Sequence, residues 1–397
     1  MGTIQTRLLV SALSTAVCAA IAWVWLASRP PRESIRLVDD WPAGEELLLQ
    51  RQRAHGSSAS HFVIEPVDPD TAKKLWLSDP DLHVYDPQAY YRYKGGLDYE
   101  QRKERPEGAE GRYHVHTSVE GYREDYDHLP EHRDLTVVVT GDSHTDGVCE
   151  NRQSFANRLE AMLAERHPGK AVEVVNTGVS GYSFYNYLGC LERHVPLKPD
   201  AFVVGFYGGN DFIGVLRPYH YFHHTAPPPR SQEYQKKLYK AEGISGSLVG
   251  NAFNQLLYFQ YNPDQIDVAL RAADEICAEI LRICRENKIA PFFLYIPPEV
   301  GWKEQKTALS EKAKELLGLT DADFAQFDRL ADHLIGYLKD LGAEVIDLRE
   351  QFTGDVGQYY LSDLHINVKA HEKIAEVLCP LVEAACSAGP AKWVGGK

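Results

Sequence analysis

Positive charge is in short supply in this chain. Its 397 residues carry 42 Lys and Arg against 56 Asp and Glu, a formal net charge of −14. Residues 1–36 hold four of the Arg and one of the Glu, so the remainder has 38 basic and 55 acidic residues, or −17. A body that acidic argues against nucleic acid as the main partner and leaves neutral or cationic small molecules and carbohydrates open. Cysteine is sparse too: there are seven, and no two form a C-x-x-C pair, which disfavours a zinc ribbon. Cys277 and Cys284 stand seven apart on a predicted helix, as do Cys379 and Cys386. About 10 Å of helical rise separates each pair, so neither can bridge internally. Cys149 and Cys190 each follow a strand-to-loop region, and a bridge between them stays open. Hydrophobic residues make up 44% and charged residues 25% of the chain, which excludes a mainly disordered or fibrous protein.

One run lacks charge altogether. Residues 8–28, LLVSALSTAVCAAIAWVWLAS, would rise about 31 Å as a helix, enough to span a bilayer. Trp23 and Trp25 lie toward one end, and Arg29-Pro30-Pro31-Arg32 stops the run. Residues 1–36 therefore read as a signal anchor or transmembrane segment, with a cleaved signal peptide as the alternative. One Arg precedes the run and three follow it closely. The positive-inside rule, taken alone, would hold the body in the cytoplasm.

Residues 37–131 show few long apolar periods and are rich in Asp, Pro, Tyr and Gly. They read as an irregular accessory or wrapping region. From residue 132 the character changes. Short β-branched or aromatic runs begin near Leu135, Val172, Ala201, Pro291 and Ala343, each a buried-strand signature. Between them the spacing predicts helices over 154–166, 183–195, 266–287 and 321–341, with a last helix over 367–386 disturbed at Pro380. Five such alternations predict a parallel sheet with helices on both faces across 132–388, an insertion at 214–265 and a tail at 389–397. In such sheets the site lies at the carboxyl ends of the strands.

Four polar turns fall at those ends. Gly141-Asp-Ser-His-Thr-Asp-Gly147 follows the first strand, Asn176-Thr-Gly-Val-Ser-Gly181 the second and Gly208-Gly-Asn-Asp211 the third. Ser362-Asp-Leu-His-Ile-Asn367 precedes the last helix. Each alone reads as an ordinary turn or helix cap. Four together, in this order, are hard to explain that way. In the first of them Ser143, between small and acidic residues at a strand end, is well placed to expose its hydroxyl.

With these four turns the sequence resembles the SGNH/GDSL hydrolase superfamily. Its G-D-S-x-T-x-G block matches Gly141 to Gly147, its second-block glycine falls on Gly181, its G-x-N-D on Gly208, Asn210 and Asp211, and its late histidine on His365. Gly121-Tyr-Arg123 is similar to the lead-in of many exported bacterial members. The resemblance covers roughly 120–213 and 343–378. It implies a three-layer, flavodoxin-like α/β/α fold with a five-stranded parallel sheet. Ser143 is then the nucleophile and His365 its base. The oxyanion donors are the backbone N–H groups of Ser143 and Gly181 and the Asn210 side chain. The family usually has D-x-x-H, whereas here that first position is Ser362 and the acid, Asp363, stands two before the histidine. Asp363 is taken as the residue that orients His365, with a Ser-His dyad as the alternative. Asp142 and Asp211 read as structural.

The expected activity is hydrolysis of an O-acyl ester, of a small molecule or a glycan, with no metal or other cofactor. An O-acyltransferase with the same machinery and a non-catalytic carbohydrate-binding protein on the same fold are the alternatives. His144, Tyr207 and Tyr219 are candidates for the substrate wall, and equally for ordinary core. The insertion, with His220, His223 and His224, reads as a lid or as a surface excursion. The resemblance favours a catalytic domain outside the cytoplasmic membrane, anchored through residues 8–28 or secreted after cleavage.

Overall fold

Apolar runs without alternation need cover on both faces of a sheet, and the computed structural model provides it. The structure describes residues 66–76, 78–102, 112–245, 252–302 and 308–388. Ahead of the sheet come α1 (Pro69–Trp76) and two antiparallel ribbons, β1 (His83–Asp86) with β2 (Tyr90–Tyr93) and β3 (Asp98–Arg102) with β4 (Arg112–His116). Then follow β5 (Leu135–Gly141), α2 (Ser143–Asp146), α3 (Phe155–Arg166), β6 (Val172–Asn176), α4 (Phe184–His194) and β7 (Ala201–Tyr207). Four helices come next: α5 (Asp211–Gly214), α6 (Leu216–Phe222), α7 (Gln232–Ser245) and α8 (Ala252–Tyr261). The chain continues through α9 (Gln265–Asn287), β8 (Ala290–Ile296), α10 (Ala308–Leu317), α11 (Asp321–Asp340), β9 (Glu344–Asp347) and α12 (Val368–Ala388).

The sheet has the order β6-β5-β7-β8-β9, and every pair in it is parallel. All residues of β5, β7 and β8 are buried. Helices α3 and α12 pack together on one side, and α9 packs on α4 and α11 on the other. Cys277 and Cys284 lie on the buried stripe of α9, as the helical spacing predicts. The chain steps from β5 to β6 and then back across β5 to β7. That reversal opens a crevice at the carboxyl ends of β5 and β7.

One expectation changes. The stretch before the sheet is not irregular over its described part, because it forms a helix and two ribbons. Strands of four or five residues are too short for a period of two to stand out. Over its described residues the 214–265 insertion is largely helical and packs both on the N-terminal region, where Arg217 donates to the Lys74 carbonyl at 3.1 Å, and on the Asn210 turn, through Gln255. Cys149 and Cys190 are both buried and in no disulfide, so the bridge left open between them is not formed. The anchor expected over 8–28 and the tail over 389–397 lie outside the described residues. Among the described residues no helix is long and apolar enough to cross a membrane.

Candidate active site

The nucleophile turn is built on close backbone approach. A Cβ at Gly141 would fall 1.9 Å from Thr145 Oγ1 and 2.6 Å from the Gly205 carbonyl oxygen, so only glycine fits. Asp142 then caps α2: its Oδ1 accepts the His144 N–H at 2.9 Å. Burial lifts the Asp142 carboxyl to about 7, while the His144 N–H and the charge of His365 pull the other way. Ser143 is the first residue of α2, and the Gly147 N–H closes the turn on the Ser143 carbonyl at 3.0 Å.

The other end of this turn is tied down by Arg123, which is 1% exposed. Its guanidinium donates to Asp146 Oδ1 at 2.5 Å, to Asn151 Oδ1 at 2.7 Å and to the Cys149 carbonyl at 3.0 Å. Asp146 also accepts the Tyr93 hydroxyl at 2.8 Å, a contact from β2. The Gly121-Tyr-Arg123 lead-in thus supplies the buried cation that neutralises the end of the nucleophile helix.

The histidine turn comes from the opposite end of the catalytic region and meets the first. His365 Nε2 lies 2.8 Å from Ser143 Oγ across 222 residues of chain. Asp363 Oδ1 accepts the His365 backbone N–H at 3.2 Å and stands 3.3 Å from His365 Nδ1. The latter is an ion-pair distance without the alignment of a hydrogen bond. Leu364 sits between them at φ +73°, left-handed backbone that branched side chains avoid. Its side chain is buried, which offsets the strain. The Leu361 N–H on the His365 carbonyl at 2.7 Å closes this tight loop.

His144 and Tyr207, expected at the substrate wall, are buried beneath the pair. The His144 ring centroid lies 3.8 Å from that of Tyr207 and 4.9 Å from that of His365. His144 Nδ1 accepts the Ile366 N–H at 3.3 Å, tying the nucleophile turn to the histidine turn. Burial, with the charges of His365 and His371, pushes the His144 imidazole well below its ordinary value, so it is neutral. Tyr219 is also buried, stacked on His223 at 3.9 Å in the insertion. His144 and Tyr207 thus back the pair, whereas Tyr219 belongs to the insertion. Both ring nitrogens of His220 are engaged, with Gln265 Oε1 at 2.8 Å and Thr225 Oγ1 at 2.7 Å.

The remaining two turns flank Ser143, because β6 and β7 flank β5. Gly181 stands in an exposed turn at φ +82°, where a side chain would be strained. Asn210 occupies the position just before α5, three residues past the end of β7. Its turn is gripped by Gln255 from α8, whose Nε2 donates to the Gly208 carbonyl at 2.7 Å and whose Oε1 accepts the Ile213 N–H at 3.1 Å. Asp211 Oδ2 accepts the Tyr187 hydroxyl at 2.7 Å and the Tyr207 N–H at 2.8 Å. Burial, then the charge of Asp142, raises the Asp211 carboxyl well above the usual range. Both acids are structural, as the sequence suggests.

Sequence reasoning missed Tyr91, Gln255 and the left-handed Leu364. No motif marks the first two. A one-residue deficit against D-x-x-H was the available signal for the third, since a shorter spacing demands a tighter turn.

The profile of the GDSL-like Lipase/Acylhydrolase family matches residues 139–373. No relative is found among curated proteins. Similar solved structures include LAE5, an alpha/beta hydrolase enzyme from the metagenome of Lake Arreo, at 17% identity and TM-score 0.37, covering 64% of this chain and 97% of that one. A lipase/acylhydrolase from Enterococcus faecalis matches at 14% identity and TM-score 0.37, covering 63% of this chain and 96% of its own. Axe2, an acetylxylan esterase from Geobacillus stearothermophilus, matches at 13% identity and TM-score 0.35, with 64% and 96% covered. The family profile spans well over half of the chain and contains both the serine and the histidine turns: the protein belongs to the GDSL-like lipase/acylhydrolase family and is a serine ester hydrolase.

Proposed function

We propose that the protein is a deacylase for O-acyl esters, with O-acetyl groups on a neutral glycan as the favoured substrate class. The observation that carries this reading is the 2.8 Å contact between Ser143 Oγ and His365 Nε2. His365 takes the Ser143 proton as Oγ attacks the acyl carbon, then returns it to the leaving alcohol; water repeats the sequence to release the acid. Asp363 favours the imidazolium by its charge at 3.3 Å. The N–H groups of Ser143 and Gly181 and the Asn210 amide receive the oxyanion. The −17 charge of residues 37–397 supports a neutral alcohol over an anionic one. Anchorage through residues 8–28, with the catalytic domain on the extracytoplasmic side, belongs to the same reading.

The test is turnover of p-nitrophenyl esters of increasing acyl length by the full-length chain, with fluorophosphonate labelling alongside. Ser143→Ala should abolish labelling and lower kcat by at least about 10⁴-fold. A folded Ser143→Ala protein that still turns over would sink the reading. Labelling of the wild type without turnover, with ester turnover appearing only once a glycan acceptor is added, would replace hydrolysis by acyl transfer.

A further inference from the structure

The Tyr91 hydroxyl of the accessory ribbon donates to the Ser180 carbonyl at 3.0 Å, and that carbonyl belongs to the same peptide unit as the Gly181 N–H. We propose that Tyr91 is a positioning residue that aims and strengthens the Gly181 oxyanion donor. The inference rests on the serine-hydrolase reading given above.

A trans peptide is planar, so its C=O and N–H point in opposite directions. A donor fixed on the Ser180 oxygen therefore fixes the direction of the Gly181 N–H. It also polarises the amide, making that N–H a better donor, by an effect on the order of 10–30% per linked hydrogen bond. The turn needs such bracing. It is exposed, and it carries a glycine at φ +82° whose backbone has wide freedom. A Cβ placed on Gly181 would stand 3.1 Å from Tyr91 Oη, so the phenol closes directly on this residue.

Tyr91 is well placed to hold still. It is 2% exposed, and burial pushes its phenol up, which keeps it a neutral donor. The Tyr182 hydroxyl donates back to the Tyr91 carbonyl, and the two rings meet edge-on at 5.0 Å between centroids. Asn186, at the start of α4, donates to the Ala89 carbonyl at 2.9 Å. The ribbon and the turn thus grip each other on both sides of Gly181. This gives the accessory region a role in the reaction without contact to the reacting atoms.

The test compares full-length wild type, Tyr91→Phe and Ser143→Ala on the p-nitrophenyl ester that the wild type turns over fastest. Losing an entire oxyanion donor costs on the order of 10²–10³ in kcat, so losing only its brace should lower kcat about tenfold. KM should stay within about twofold, because the ground-state carbonyl makes less use of the donor. In protein labelled with [15N]glycine, the Gly181 amide proton should move upfield in Tyr91→Phe. Unchanged kcat, or a loss expressed in KM alone, would overturn the proposal while a dead Ser143→Ala left the serine reading standing. An active Ser143→Ala would remove that reading and this proposal together. Should Tyr91→Phe reduce the folded fraction, the amide shift still decides: an unmoved Gly181 signal defeats the proposal.

Discussion

The nucleophile turn and the histidine turn face each other over 2.8 Å, yet they are held in different ways. The nucleophile turn is buried apart from Ser143 itself, which stays partly open to solvent. Asp142 caps it, Gly141 lets Thr145 and β7 close on it, and Arg123 ties its far end to Asp146 and Asn151. The histidine turn is half-exposed. Its order comes from a left-handed Leu364, short backbone hydrogen bonds and an Asp363 whose side chain is 36% exposed. One side of the pair is rigid through buried polar contacts that are costly to break. The other depends on local geometry and a solvated charge. A firmly held hydroxyl thus faces a more loosely held imidazole.

The sharpest way to break this contrast is at Arg123. Arg123→Met should leave Asp146 buried without its cation and cost about 3–5 kcal/mol of stability, read from urea denaturation. A loss below about 1 kcal/mol would mean that the nucleophile turn does not depend on its buried ion pair.

Acid titration offers the next largest effect. The folded Asp142 carboxyl sits at about 7, above its unfolded value near 4. Between those two values the folded state holds a proton that the unfolded state has released. Stability from this group is therefore fully present below about pH 4 and is lost as pH rises toward 7. Asp142→Asn should remove about 2–4 kcal/mol from the fall in stability between pH 4.5 and 7.5. Equal pH slopes in the variant and the wild type would place that titration elsewhere, for example at Glu160, which burial also lifts to about 7.

The smallest effect belongs to the histidine side. Asp363→Asn should lower kcat about tenfold, roughly 1.4 kcal/mol, with the urea midpoint unchanged, because its carboxylate is solvated and poorly aligned with His365 Nδ1. A fall near 10⁴ would show a fully engaged triad. No change in kcat would leave a Ser-His dyad.

Much of the catalytic domain is legible without coordinates, for local reasons. The third strand starts at Ala201 as expected, and the helix expected over 321–341 ends one residue earlier, at Asp340. Buried strands without alternation and helices with a regular apolar stripe carry their own signatures. The placement of Ser143 and His365 follows from the same logic, since parallel sheets gather their sites at one end. The accessory region was less legible. HVYD and YYRY in its first ribbon are too short to show a period, and the insertion's contact with the Asn210 turn depends on one Gln255 in an otherwise ordinary helix.

The amino-acid sequence by itself determined the alternation of the five sheet strands with their main helices, the parallel sheet and, through the family's sequence blocks, the serine and histidine of the site. Each of these rests on side-chain periodicity or on a short block of consecutive residues. Only the tertiary structure decided what braces the site. Tyr91 reaches Ser180 across 89 residues, Gln255 reaches Gly208 across 47, and Ile366 meets His144 across 222. Such contacts leave no period and no motif in the chain, because a single hydrogen bond between distant segments asks only that one donor and one acceptor arrive together.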